Sequence, residues 1–198
     1  MKKIILTALT LLLLFENPTF CQQQVKVNAI QVDASFDPVS LSKLNEAVTL
    51  LESIFNSEEF ARAVCHTEFN LGIFGLANYQ ILELIKSGND NYINKPKDYS
   101  IEIKVKVFNE YFGHGNFGFT DPASRITRTH RCYILHNDVK CYVSHFAHEY
   151  MHQIGFYDKK TWFLGTKTKS VPYKIGKIVD ALLGNVTPCL AKDETCTQ

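Results

Sequence analysis

The sequence from residue 148 to residue 158 reads HEYMHQIGFYD and combines a helical pattern with an abrupt stop. Apolar residues recur at helical spacing through this stretch and just upstream of it, at Val143, Ala147, Tyr150 and Ile154. This spacing predicts a helix that buries one face in the core. Gly155 follows the last apolar position, and glycine can take the left-handed backbone conformation that ends a helix. The stretch therefore predicts a helix followed at once by a reversal of the chain.

Two histidines in this helix have the spacing of metal ligands. His148 and His152 are four residues apart, so their side chains lie on one face and can bind a single ion. A catalytic zinc site needs a third protein ligand and an open position for water, and Asp158 follows the turn at Gly155 closely enough to complete it. Glu149 lies beside this face, where its carboxylate can reach a bound water without being a ligand. The spacing therefore predicts a zinc site with Glu149 beside it.

Other carboxylates lie further along the chain, at Asp180, Asp193 and Glu194. Some zinc peptidases take their third ligand from a later helix, so these residues are alternatives to Asp158. Asp180 falls within a predicted C-terminal helix, where a solvated side chain is the simpler interpretation. Asp158 is preferred because the chain can reverse at Gly155 and bring it back toward the ion.

This pattern resembles that of the metzincin clan of zinc peptidases, His-Glu-x-x-His-x-x-Gly-x-x-His, in the form with Asp in the last place that is found in the snapalysins. The resemblance is most specific over residues 145–158. It implies that His148, His152 and Asp158 are zinc ligands and that Glu149 is the catalytic base. It also implies a metal-activated water that attacks a peptide carbonyl.

Clan members carry a turn beneath the metal that contains methionine. The corresponding residues here are Ser170-Val171-Pro172-Tyr173, and the only methionines are Met1 and Met151. The resemblance implies that Tyr173 donates a hydrogen bond to the oxyanion, while a core or helix-capping tyrosine is the alternative. It further implies that a substrate pairs with an edge strand before the active-site helix. Residues 117–120 are the candidate, and an ordinary edge strand is the alternative.

The other histidines lack ligand spacing. His145, three residues before His148, is interpreted as a packing or partly exposed side chain rather than as a group that supports the ligands. No function is assigned to His66, His114, His130 or His136.

The rest of the chain predicts helices, then a sheet, then helices. Three early helices are expected, one after Asp37-Pro38 with Ser40 as its cap, one over 58–64 behind Ser57, and one over 79–86 between Asn78 and Gly88. Strands are expected at 101–107, where apolar and polar residues alternate, and at 117–120 and 126–135, with a turn at 113–116. A last helix begins at Pro172 and ends at Gly184. These elements predict an α+β domain with a small mixed sheet, N-terminal helices, an active-site helix and a C-terminal helix.

The N-terminus has the layout of a secretory signal peptide. Two lysines precede an apolar run from residue 4 to residue 15, which is too short to span a bilayer. Cleavage after Cys21 would leave one domain over residues 22–198, secreted or periplasmic. Lipid anchoring at Cys21 is the less favoured alternative, because the bulky Phe20 fits a lipoprotein signal poorly. Whether residues 22–40 form a removable inhibitory segment stays open.

Export permits disulfides among the remaining cysteines. Cys132 and Cys141 flank one short stretch and Cys189 and Cys196 another, so each pair could close a local loop, with Cys65 left over. The alternative is that some are buried thiols.

The net charge of the chain does not indicate a binding partner. Lys and Arg number 21 against 20 Asp and Glu, so the formal net charge is +1 and nothing favours nucleic acid or an anionic membrane. The sequence predicts an exported zinc-dependent endopeptidase that acts on a protein or peptide substrate, without stable membrane insertion. The alternative is a zinc-stabilised binding or inhibitory module without turnover.

Overall fold

The computed structural model describes residues 23–69, 75–88, 97–109, 117–158, 170–184 and 189. The described residues form six helices and four strands. In chain order these are β1 (Lys26–Gln31), α1 (Pro38–Phe55), α2 (Glu58–His66), α3 (Asn78–Ser87), β2 (Ser100–Phe108), β3 (Gly118–Asp121), β4 (Ile126–His130), α4 (Arg131–His136), α5 (Val139–Gln153) and α6 (Val171–Leu182). The predicted α+β class, with a small mixed sheet, is confirmed. The predicted signal peptide and the turn at 113–116 lie outside the described residues.

The sheet has the strand order β1-β2-β4-β3. Its first three strands are parallel, and β3 pairs antiparallel with β4 at the edge. The alternation predicted for 101–107 is confirmed, because the side chains of Ile101, Ile103, Val105 and Val107 are all buried. The predicted strand at 117–120 is also present, shifted by one residue to Gly118–Asp121.

The strand β1 was not predicted. Val25 and Val27 are buried, and the side-chain amide of Asn56 pairs with both the N–H and the carbonyl of Val25 at 2.7 and 2.9 Å. Glu52 also accepts a hydrogen bond from the Val27 N–H at 2.8 Å. The sequence in β1 alternates poorly, so its partners in α1 and β2 decide its conformation. Removal of residues 22–40 would take away one strand of the sheet, which argues against an inhibitory segment there.

Two predicted helix caps are wrong. The carboxylate of Asp37, not Ser40, caps α1 by accepting from the N–H groups of Val39 and Ser40. Ser40 lies inside the first turn and donates its hydroxyl to Asp37. Asn78 is the first residue of α3 rather than its cap, because its side chain donates to the carbonyls of Cys65 and Thr67. The predicted cap of α2 at Ser57 is confirmed.

The strand predicted over 126–135 is half right. It ends at His130, whose ring accepts from the Cys132 N–H and so caps the short helix α4. The ammonium group of Lys43 in α1 donates to three carbonyls at the end of that helix, those of Ile134, Leu135 and Asn137, at 2.8–3.0 Å. A contact across more than ninety residues thus satisfies carbonyls that a strand would have paired with its neighbour.

The predicted disulfide pairs are also wrong. Cys141 is bonded to Cys189, with a Cα–Cα distance of 5.6 Å, so neither Cys132–Cys141 nor Cys189–Cys196 exists. Cys132 is disulfide-bonded as well. The packing of α6 against α5 brings residue 189 to the start of α5, and tertiary contact rather than sequence proximity decides the pairing.

The helix α5 lies at the centre of the molecule. It packs against α6 on one side and against α1, β3 and β4 on others, and the predicted stripe of Val143, Ala147, Tyr150 and Ile154 is buried. The hydroxyl of Tyr150 donates to the Ile85 carbonyl at 2.8 Å. No helix in the described residues has the length and apolar character needed to cross a bilayer.

Candidate metal centre

The predicted metal ligands lie together at the end of α5. His148 and His152 have ring centroids 5.1 Å apart, and their side chains keep about a sixth of their surface exposed. The carboxylate atom Oδ2 of Asp158 is 3.6 Å from Nε2 of each histidine. One donor atom from each of these three residues lies within 4.8 Å of the other two. Among the described residues this is the one such group of three His, Cys, Asp or Glu side chains.

The turn that returns the chain to the site begins at Gly155. Its φ of +96° is left-handed, as predicted. The N–H of Gly155 donates to the His152 carbonyl and that of Phe156 to the Met151 carbonyl, at 3.1 and 2.9 Å. These two hydrogen bonds form the Schellman motif that ends many helices. The motif places the Phe156 carbonyl beside the His152 ring and brings Asp158 back over the helix end.

This turn also fixes the orientation of one imidazole. Nδ1 of His152 is 2.7 Å from the Phe156 carbonyl oxygen, which can only accept a hydrogen bond. In neutral His152 the proton is therefore on Nδ1, and the lone pair of Nε2 points toward His148 and Asp158. Such a carbonyl behind the ring is the usual support of a metal-bound histidine.

Asp158 is held by a residue of the next helix. Ser170, the cap residue of α6, donates its hydroxyl to Oδ1 at 2.7 Å, and Oδ2 is left facing the histidines. Burial alone would raise the pKa of Asp158, but the neighbouring imidazoles of His148 and His152 and the hydrogen bond from Ser170 outweigh it and hold the pKa well below its usual range. The carboxylate is therefore ionised at neutral pH. Two nitrogen donors and one anionic oxygen suit zinc.

Glu149 occupies the face of α5 next to the histidines. It is 5% exposed, and its Oε2 accepts a hydrogen bond from the hydroxyl of Thr120 in β3 at 2.8 Å. It lines the same cavity as the three candidate ligands. It therefore lies beside the three candidate ligands and outside their group.

Tyr173 lies against His148. Their ring centroids are 4.7 Å apart in an edge-to-face arrangement. Burial, with smaller contributions from Asp158 and Glu149, raises the pKa of Tyr173, so its phenol stays protonated and can donate. One turn later Gly176 faces α5, where a Cβ would lie 3.4 Å from Cβ of His148, and its carbonyl accepts from Ser144. This close approach of α6 brings Tyr173 to the site.

His145 is a packing residue, as interpreted from the sequence. Its side chain is 9% exposed and meets the rings of Phe117 and Tyr133 edge-on. Burial lowers the pKa of His145 to about 4, although the nearby Glu149 opposes this shift. Its imidazole is therefore neutral at neutral pH. It lies in the wall of the cavity and contributes no positive charge there.

The site opens into a cavity of about 570 Å³. The strand β3 forms one wall, and the Cys141–Cys189 disulfide with Gly176 and Lys177 of α6 forms part of another. Phe119 and Tyr157, at the rim, are 39% and 57% exposed. An open, walled cleft of this kind leaves room for a substrate at the ligand atoms.

The structure shows contacts in the site that the sequence did not predict. Thr120, Thr127 and Gln153 connect Glu149 to the sheet, and Ser170 anchors Asp158. Gln153 has a sequence signal, since it lies four residues after Glu149 on the same face. Asp180 belongs to α6 and is outside the group of three donors, while Asp193 and Glu194 lie outside the described residues.

Comparisons of the chain with protein-family models, with curated protein sequences and with solved structures find no significant match. The function is therefore argued from the geometry of this site.

Proposed function

We propose that this chain is an exported, zinc-dependent endopeptidase with a metzincin-like active site. The observation that carries the proposal is the convergence of donor atoms from His148, His152 and Asp158 at the base of a cleft, with the carboxylate of Glu149 on the next face of the same helix. A structural zinc site normally encloses its ion with four protein ligands. Three ligands, a neighbouring base and an open cleft are the arrangement of a hydrolytic site.

The ion is proposed to be zinc, held by Nε2 of both histidines and by Asp158. When bound, it supplies Lewis acidity toward a water molecule and toward the carbonyl oxygen of the scissile bond. The hydrogen bonds from His152 to Phe156 and from Ser170 to Asp158 hold two of the ligands in place before the ion arrives.

Glu149 carries the proton in this scheme. Its carboxylate accepts a proton from the attacking water as the new carbon–oxygen bond forms. It then delivers that proton to the nitrogen of the leaving amine as the carbon–nitrogen bond breaks, so the atoms balance with one water consumed. Tyr173, protonated and against His148, is proposed to donate a hydrogen bond to the developing oxyanion.

An extended peptide is the proposed substrate. The strand β3 lies at the edge of the sheet and borders the cavity, so a peptide strand can pair with its outer side. The exposed ring of Phe119 on that strand and the ring of Tyr157 across the rim offer apolar surface to its side chains. In the metzincin clan, which the sequence resembles, such an edge lies just before the active-site helix.

Zinc analysis and digestion of a peptide library by the same preparation test the proposal. The protein should hold one zinc per chain and cleave the library. Glu149→Ala should keep the zinc and lose activity by about 10²- to 10⁴-fold, the usual contribution of a general base. Glu102→Ala, which changes an exposed glutamate in β2, should retain both properties.

Each contrary outcome has a distinct meaning. Zinc-replete protein without bound metal would overturn the site itself. Protein that binds zinc but cleaves nothing would favour the zinc-stabilised binding or inhibitory module. Full activity in Glu149→Ala would show that another group handles the proton.

A further inference from the structure

A chain of hydrogen bonds runs behind Glu149 into the centre of the sheet. It begins at Gln153, whose side chain is completely buried. The Oε1 atom of Gln153 accepts from the Lys104 N–H at 3.2 Å, and its Nε2 donates to the Lys104 carbonyl at 3.1 Å. The pairing of β4 with β2 begins one residue later, at Val105. Gln153 thus takes the place of a strand partner for Lys104.

These two hydrogen bonds between the Gln153 amide and Lys104 fix the direction of the remaining hydrogen bonds. Because Nε2 of Gln153 is a donor, Thr127 Oγ1 accepts from it, at 2.6 Å. The hydroxyl proton of Thr127 can then point to Thr120 Oγ1, 2.9 Å away. The hydroxyl proton of Thr120 is left for Glu149 Oε2 at 2.8 Å, with the Glu149 carbonyl also within reach at 3.0 Å. With this assignment, the hydrogen bonds from Gln153 to Thr127, from Thr127 to Thr120 and from Thr120 to Glu149 all run toward the carboxylate.

The chain also ties the proposed base to the proposed substrate strand. Thr120 and Thr127 are register partners in β3 and β4, and both side chains lie on the buried face. Phe119, the residue before Thr120, is exposed on the other face. One short strand therefore contacts Glu149 with one residue and borders the cleft with its neighbours.

We infer that Thr120 is a positioning residue for Glu149. Its hydroxyl holds the carboxylate in the orientation needed for proton transfer, and Thr127 and Gln153 orient that hydroxyl. The role in turnover rests on the proposed function, whereas the effect on the orientation of Glu149 can be measured without any turnover. A glutamate has several rotatable bonds, and a single charge-assisted hydrogen bond is enough to select one conformation.

The matched variants are Thr120→Val, which removes the hydroxyl at nearly constant shape, and Thr120→Ser, which keeps it. Thr129→Val is the control, because Thr129 is an equally buried threonine of β4 that lies outside this chain of hydrogen bonds. All three are compared with the parent as zinc-loaded protein, by crystallography, by zinc content and by separate measurement of kcat and KM on a cleaved peptide.

We expect Glu149 to change its side-chain conformation in Thr120→Val and to keep it in Thr120→Ser and Thr129→Val. In Thr120→Val, kcat should fall roughly 10- to 100-fold with KM and zinc content unchanged, as expected for loss of a hydrogen bond to a charged reacting group. Thr120→Ser should recover most of that loss. A merely structural role would instead lower the thermal stability of Thr120→Val and Thr129→Val alike without separating kcat from KM.

An unmoved Glu149 carboxylate in the Thr120→Val crystal structure would overturn the inference, whatever the activity. So would equal values of kcat in Thr120→Val and the parent. If the parent binds zinc but hydrolyses nothing, the proposed function fails, and the crystal structures alone still decide whether Thr120 positions Glu149.

Discussion

Two pairs of residues on α5 share the same spacing but have opposite surroundings. His148 and His152 face the cleft, and their side chains stay partly exposed. Glu149 and Gln153, one residue further along and so rotated by about 100° around the helix, face the sheet and are almost fully buried. In the proposed function, the metal ligands must leave one side of the ion open, whereas the proton carrier must be held in one orientation. The rotation by a single residue separates these two requirements.

The two pairs also differ in where their support comes from. The nearest partner of His152 is the carbonyl of Phe156, four residues away, and Asp158 follows by two residues. The partners of the buried pair are 29, 26 and 49 residues away, in β3, β4 and β2. The face with the candidate ligands His148 and His152, here called the metal face, is thus supported by a local turn, and the face with Glu149 and Gln153, here called the buried face, by the assembled sheet. Mutations in the two faces should therefore fail in different ways.

The largest expected effect is on zinc affinity, when the proposed third ligand of the metal face is removed. Asp158→Ala should weaken zinc binding by more than about 100-fold, since loss of a supporting group alone costs 10- to 100-fold. Competition titration with a chelator measures this, and the fold should survive because the Asp158 side chain is partly exposed.

The matched controls for that variant are Asp180→Ala and Asp158→His. Asp180→Ala should bind zinc normally, because Asp180 lies in α6 outside the group of three donors. Asp158→His should keep the metal, since imidazole is an equally good zinc ligand. Normal zinc affinity in Asp158→Ala together with loss in Asp180→Ala would show that a later helix supplies the ligand.

The same contrast explains what the sequence could predict. The helices α1, α2, α5 and α6 and the strand β2 follow from local periodicity, and the left-handed turn at Gly155 follows from glycine's conformational freedom. The strand β1, the helix α4 and the Cys141–Cys189 bond depend on partners distant in the chain. Three side chains of α1 and its end illustrate this. Lys43 hydrogen-bonds a backbone carbonyl of α4, and Asn56 and Glu52 accept hydrogen bonds from backbone N–H groups at β1. The local sequences of α4 and β1 do not by themselves decide between helix, strand and loop.

The site divides in the same way. The grouping of His148, His152 and Asp158 could be predicted because their spacing on a helix and its turn fixes their distances. Thr120 and Thr127 could not be, since a buried threonine in a strand has no signal that separates packing from a hydrogen bond to a carboxylate. The sequence places Ser170 in a turn, but its contact with Asp158 depends on the packing of α6 on α5.

The second prediction concerns the contribution of the buried face to stability. Gln153→Leu should lower the free energy of unfolding by about 2 kcal/mol, because it removes the hydrogen bonds that the buried Gln153 amide makes to the N–H and carbonyl of Lys104 and to Thr127. Urea unfolding of the zinc-loaded protein measures the change. Gln31→Leu, the same substitution at an exposed position of β1, should stay within about 0.5 kcal/mol of the parent. Equal effects at both positions would contradict a structural role for the hydrogen bonds between Gln153 and Lys104.

The smallest expected effect tests whether the turn at Gly155 contributes to zinc binding as well as to stability. Gly155 and Gly184 each follow a helix and each has a positive φ, +96° and +63°. Alanine at either position should cost about 1 kcal/mol of stability, since side chains disfavour left-handed backbone. Only Gly155→Ala should also weaken zinc binding, because the turn at Gly155 brings the Phe156 carbonyl to His152 and Asp158 to the two histidines. Chelator titration of both variants measures this difference. Unchanged zinc affinity in Gly155→Ala, at the expected loss of stability, would mean that α6, through Ser170 and Asp158, positions the third ligand without help from the turn.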